Sequence, residues 1–261
     1  MNTNTTTQKT NAFGLKPIPL RRKRIMVFDT ETNGLFPKIN LEMNERGELE
    51  RLPEIDKYPY ILQLSFVVFD LETKTITEKF NEYIRVDDTV EISDRITEIN
   101  GINRTICKEK GISIVQALDR FYDAYSNVDY VVAHNIAFDK KVMEIELQRN
   151  FSKLSHILSR SVFMFNDTYN SRNGINLVCS MELSKKYCNI LIERESTYNR
   201  PDNREPQPIK YKMLKSPRLE ELHYKLFGYK PDNLHNSLVD TMVCLKCYLK
   251  IQFEIDFVCE Y

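Results

Sequence analysis

Residues 25–28, Ile-Met-Val-Phe, form an unbroken apolar run that ends at once in two acids, Asp29 and Glu31. A run that is apolar at every position marks a strand buried on both faces. Such a strand needs a covering layer on each side of its sheet. Residues 60–69 are again apolar and β-rich, residues 70–74 read as a turn, and residues 76–84 alternate as a further arm. Together they predict a three-stranded meander. Ser113 and Gln116 bracket a capping-box pattern, and Val115, Leu118, Phe121, Tyr122 and Tyr125 then recur at helical spacing. A short strand over 128–133, a helix over 139–148, a strand over 175–179 and a helix over 181–187 follow. Pro217 is predicted as a first helical residue after a Ser216 cap, with Gly228 as the stop. A last helix spans 237–252. The order predicts one α/β domain, with a mixed sheet covered by helices on both faces.

The chain has 261 residues, 42% of them hydrophobic, which is enough for a packed core. Its formal net charge is zero. That argues against coating long nucleic acid, but not against gripping one strand end. None of the seven glycines builds a phosphate-cradling loop. No apolar stretch is long enough for a membrane span, and the N-terminus lacks a secretory core. An intracellular location, cytoplasmic or nuclear, is expected. The six cysteines are then reduced thiols. Residues 1–23 read as a flexible polar and basic tail, with Asn and Thr over 1–20 and Arg21, Arg22, Lys23 and Arg24 behind. The basic run is either solvated, a phosphate contact or a nuclear-import signal. Residues 24–255 form the domain, interrupted by loops at 37–59 and 192–217. The second loop is basic and Pro-rich.

Three short segments carry the chemistry. In FDTETNGL, Asp29 and Glu31 stand two apart, so on a strand they share a face roughly 6–7 Å apart. There they can share a hard cation; a solvated strand end is the plainer alternative. In AHNIAFD, a strand ends and Asp139 opens a helix, a position that capping and the helix dipole also favour. In HNSLVD, His235 precedes a helix and Asp240 lies in its first turns. Cys244 and Cys247 follow Asp240 on one helix face. Core packing accounts for them better than zinc, which lacks a fourth ligand nearby.

Taken in order, the three segments resemble the motifs of the DnaQ-like exonuclease superfamily, to which the proofreading ε subunit of bacterial DNA polymerase III belongs. The histidine five residues before the last acid matches the DEDDh subgroup. The resemblance covers residues 24–252 and includes Glu98-Ile99-Asn100-Gly101-Ile102, where Asn100 stands in place of the family's usual histidine. It implies a ribonuclease H-like fold and 3′→5′ exonuclease activity with two Mg²⁺ ions, for which Mn²⁺ substitutes. Asp29 would bridge both ions, Glu31 and Asp240 would complete the first site, Asp139 would serve the second, and His235 would be the general base. Thr30 and Leu35 would meet the terminal nucleotide, with Asn135 and Phe138 beside them. For Leu35 and Phe138, core packing is the alternative; for Lys140 and Lys141, phosphate contact or a solvated helix face.

The physics of the residues agrees with that assignment. Two cations about 3.5–4 Å apart activate water and relieve leaving-group charge. Converging carboxylates repel one another without them. A single-stranded or frayed 3′ end is the expected partner, DNA before RNA, with a DNA polymerase a further one. An exoribonuclease of the same fold and a non-catalytic binding module are the alternatives. The retained acids and histidine argue against the last.

Overall fold

The computed structural model describes residues 10–16, 18, 20–38, 54–156, 159–198 and 207–258. Its centre is the pair of apolar runs. β1 (Arg24–Thr32) and β2 (Ile61–Asp70) lie antiparallel, with Asp29 opposite Ser65 and Glu31 opposite Gln63. β3 (Thr75–Tyr83) pairs antiparallel with β2 and alternates in exposure, as an outer strand does. On the other side, β4 (Tyr130–Ala133) and β5 (Asn176–Cys179) add in parallel. The order β3-β2-β1-β4-β5 is the mixed sheet that the sequence predicts.

Period-two alternation sends β1 into two cores. Met26 and Phe28 face α3 (Ile114–Tyr125) and α4 (Ile136–Arg149), where Phe28 meets Phe121 edge-to-face at 5.0 Å. Ile25 and Val27 face the opposite layer of α7 (Ser180–Cys188), α8 (Leu219–Phe227) and α9 (Ser237–Phe253). Each fully buried large apolar side chain contributes roughly 1.5–3 kcal/mol, which is what holds the two layers to the sheet. The predicted capping box starts α3: the Ser113 N–H donates to Gln116 Oε1 at 3.3 Å. Gly228 closes α8 at φ 80°, as expected of a glycine stop.

Four short helices escape the sequence reading: α1 (Asp94–Asn100), α2 (Arg104–Lys110), α5 (Phe151–His156) and α6 (Asp167–Asn173). None exceeds two turns, too short for a helical period to register. Three expectations are corrected. The 192–217 loop contains a ribbon, β6 (Leu191–Tyr198) paired antiparallel with β7 (Gln207–Leu214). Its alternation is carried by opposed charges, and Pro208 is tolerated because both strands of a two-stranded ribbon are edges. Pro217 does not open α8. Its carbonyl accepts from His134 Nε2 at 3.0 Å instead of closing a helical turn, and Arg218 is the cap. Residues 11–16, 18 and 20, the described part of the expected tail, are tied to the fold. Asn11 Nδ2 donates to the Ile251 carbonyl, and Phe13, Leu15, Ile18 and Leu20 pack on the α9 core. Residues 1–9 lie outside the described residues, as do 39–53 of the 37–59 insertion. The backbone of the basic run is tied to the fold, with the Arg21 and Arg22 amides donating to Asp129, while the Arg21, Lys23 and Arg24 side chains are exposed as a solvated run would be, the last two beside Glu72 and Asp70. No helix among the described residues is long and apolar enough to cross a membrane.

Candidate active site

The site forms at the C-terminal ends of the parallel strands β1 and β4, the usual crevice of such sheets. Asp29 and Glu31 continue the β1 face that Ile25 and Val27 present to α9. α9 is seated there by polar groups. Ser237 Oγ lies 2.6 Å from Ser65 Oγ, the Ser237 amide donates to Gln63 Oε1 at 3.3 Å, and Thr241 Oγ1 donates to the Ser65 carbonyl at 3.4 Å. This seating brings Asp240 over β1. Carboxylate oxygens of Asp29, Glu31 and Asp240 all lie within 4.8 Å of one another.

Asp139 arrives from the opposite layer. Asn135 turns the chain at φ 73° and α4 begins, with Asp139 in its first turn. A non-glycine residue there is uncommon, and asparagine tolerates it best. Both donors of Thr30, its N–H at 3.1 Å and its hydroxyl at 2.7 Å, go to Asp139 Oδ1. The trio of close oxygens does not include Asp139, yet its charge acts on Asp29 more strongly than any other.

Burial pushes all four carboxyls up; acidic neighbours add to it at Asp29, Glu31 and Asp139, while hydrogen bonds oppose it at Glu31, Asp139 and Asp240. Asp29 is raised by burial, then by Asp139, Asp240 and Glu31. Glu31 rises to about 8 through burial and Asp240, against a hydrogen bond from Asn100. Asp139 rises to about 7 through burial, held back by the two Thr30 bonds. Asp240 rises to about 6 through burial, held back first by the His235 amide, which donates to its Oδ2 at 2.8 Å. Hard oxygen donors in mutual repulsion fit a divalent cation such as Mg²⁺ or Mn²⁺ and no soft metal.

His235 is exposed and its backbone sits at φ 71°, so its ring stands at the rim rather than in the core. Leu35 is 82% exposed, which rules out the core-packing alternative. Beside it opens a cleft of about 710 Å³, bordered by Asn33, Asp56, Tyr58 and Tyr60. Phe138 is partly buried and packs on Phe36 at 5.0 Å, and Asn135 is exposed next to it. Lys140 pairs with Glu144 along α4, while Lys141 is solvent-exposed. Cys244 and Cys247 are buried in the α9 core, as expected, and no metal-ligand group among the described residues includes them.

Several contributors went unread in the sequence. Asn100 is buried; its Oδ1 accepts from the Ile102 amide at 3.0 Å, which leaves its NH₂ for Glu31. Its place in the EINGI segment was the available signal. Gln63 and Ser65, polar within an otherwise apolar strand, were another. His134 lies between Ser180 Oγ at 2.9 Å and the Pro217 carbonyl, and so ties the second motif to α7 and the approach to α8.

In fold, the chain is similar to Escherichia coli exonuclease I in its zinc-bound complex with single-stranded DNA. The TM-score is 0.58 at 15% identity, over 90% of this chain and 42% of that one. The same enzyme with a dA16 oligonucleotide gives 0.56 at 17% identity, over 89% and 42%. Exonuclease I from Methylocaldum szegediense gives 0.55 at 18% identity, over 88% and 41%. The chain thus spans about two fifths of these proteins, and at such identities the likeness establishes the fold alone. No curated protein sequence matches it. A family model described as an exonuclease, of the RNase T kind, matches residues 26–187, well over half of the chain, and the chain therefore belongs to that exonuclease family.

Proposed function

We propose that the chain is a metal-dependent 3′→5′ exonuclease that trims single-stranded or frayed nucleic-acid ends, DNA by preference. The meeting of Asp29, Glu31 and Asp240 oxygens within 4.8 Å, with no basic side chain among the leading charges on Asp29, carries this reading. Asp29, Glu31 and Asp240 would hold one divalent cation, and Asp139 with Asp29 a second. What such a pair supplies when bound is Lewis acidity toward the phosphate, the attacking water and the leaving oxygen.

The remaining work belongs to side chains. Water oxygen bonds to phosphorus, the P–O3′ bond breaks, and a 5′-mononucleotide leaves. His235 takes the water's proton at an imidazole nitrogen, the usual work of a general base. Its rim position supports a base that meets water only when substrate is seated. Thr30 keeps Asp139 oriented through its two hydrogen bonds. Leu35 and Phe138 press on the terminal base, and Asn135 reaches its sugar; the exposure of Leu35 supports this role. The solved relatives in fold that hold single-stranded DNA favour DNA as the substrate.

The test is a 5′-labelled oligonucleotide, as DNA and as RNA, incubated with Mg²⁺, with Mn²⁺ or with EDTA. A ladder shortening one nucleotide at a time, absent in EDTA, is expected. Internal cuts, or full activity in the Asp29→Ala chain, would overturn the proposal. Calorimetric Mg²⁺ titration gives a readout independent of turnover: binding should be lost in Asp29→Asn and in Asp240→Asn.

A further inference from the structure

β6 and β7 pair only with each other among the described strands. Their register sets Glu193 opposite Lys212 and Glu195 opposite Lys210. Directly opposed residues share a face, so these four charges occupy one side of the ribbon. They cancel in pairs, at 3.9 Å and 3.5 Å. The other side carries Ile192 opposite Met213, Arg194 opposite Tyr211, and Ser196 opposite Ile209. Ile209, Tyr211 and Met213 are 46%, 44% and 39% exposed. Arg194 is exposed among them and has no carboxylate partner among the described residues.

A lone two-stranded ribbon is marginal in water, and three large apolar side chains on one face mark a binding surface. The chemistry of that face selects its occupant. An aromatic ring beside a guanidinium stacks bases and meets phosphates, and it does so without regard to sequence. The face carries a cation and no acid. Residues 191–218 hold seven basic against four acidic side chains, in a chain whose charges balance as a whole. The ribbon is also rooted at the site. The Lys215 amide donates to the Ile190 carbonyl at 2.8 Å, and two residues on, the Pro217 carbonyl accepts from His134, the neighbour of Asn135. Eight-residue strands reach about 26 Å at ~3.3 Å per residue.

We propose that the Arg194–Tyr211 face of the ribbon is a second binding surface for single-stranded nucleic acid, gripping the strand upstream of the end being trimmed. Its position in the reaction rests on the exonuclease reading above; its binding does not.

Anisotropy of a labelled dT20 strand in EDTA, with the full chain, tests it. Tyr211→Ala should weaken binding roughly tenfold and Arg194→Ala roughly fivefold, in line with the usual worth of one stacked base. Lys212→Ala, on the opposite face, should leave it unchanged. With Mg²⁺ and a four-nucleotide substrate, all three should keep the wild-type kcat. Wild-type affinity in Tyr211→Ala and Arg194→Ala would overturn the proposal. So would a change of oligomeric state in those variants at constant dT20 affinity, since the face would then belong to a second copy. If dT20 binding depends on Tyr211 while the wild type hydrolyses nothing, this surface stands and the exonuclease reading falls.

Discussion

Two sets of acids in this fold, one fully buried and one largely half-buried, solve opposite problems. Glu146, 3% exposed, is answered from within. Arg149 Nη1 donates to its Oε1 at 2.7 Å, the Ile61 amide to the same oxygen at 3.3 Å, and Asn150 to its Oε2 at 3.2 Å. The guanidinium lies 3.6 Å over the Tyr60 ring and also holds the Ile55 and Tyr58 carbonyls. Burial raises the Glu146 carboxyl, and Arg149 is the first influence to oppose it. At Asp29, burial and every leading neighbour push the same way. Buried charges that are matched locally serve the architecture. Those left in deficit take up protons or, on the reading proposed above, a cation from solution.

The largest effect that tests this contrast is on turnover. Asp29→Asn should cut the hydrolysis rate about a thousandfold or more, since several kcal/mol of electrostatic help go with the cation. The metal-free variant should melt no lower than the wild type, because a repulsion is removed; a clear loss of stability would break the comparison. Next comes Arg149→Ala, which strands Glu146. It should cost about 3–5 kcal/mol in denaturant unfolding and leave kcat within severalfold.

The pH dependence of the metal-free chain sharpens the contrast further. Asp240, Asp139 and Glu31 sit at about 6, 7 and 8, above ordinary carboxyls near 4. A value raised by folding stabilises the protonated native state. That stability is full below about 4, where the unfolded carboxyls are protonated too, and is lost as pH rises from there through the folded values, ending near 8. The metal-free melting temperature should therefore fall across that window, and saturating Mg²⁺ or Mn²⁺ should flatten the curve. A metal-free profile already flat would mean that the deficit is met internally. The smallest effect belongs to Glu193→Ala, whose exposed partner Lys212 should make it neutral to within about 0.5 kcal/mol.

Much of this was legible beforehand, for reasons that differ by element. β1 and β2 announced themselves because burial on both faces leaves continuous apolar runs. Asp29, Glu31, Asp139 and Asp240 were found through motif order. The arrival of Asp139 from the far layer was not, because sequence does not record which side of a sheet a helix covers. The β6–β7 ribbon was hidden because its alternation pairs Glu with Lys on one side, and such a pattern reads as a polar loop. Pro217 misled because its carbonyl answers His134, a partner 83 residues away. Residues 11–20 looked like a tail because Phe13, Leu15, Ile18 and Leu20 are spread thinly among polar neighbours, and only the α9 surface gives them a reason.

Drawing its acids from both sides of the sheet makes this centre a gauge of the interior. Asp139 rides on α4 with Val142 and Met143 behind it; Asp240 rides on α9 with Val243 and Cys244 behind it. Trimming two methyls from either core lets one layer settle by a fraction of an ångström relative to the other, and the spacing between opposing carboxylates changes with it. Val142→Ala and Val243→Ala should thus depress turnover by more than their loss of folding stability alone accounts for, so the output of the enzyme reports the alignment of two cores on opposite faces of one sheet.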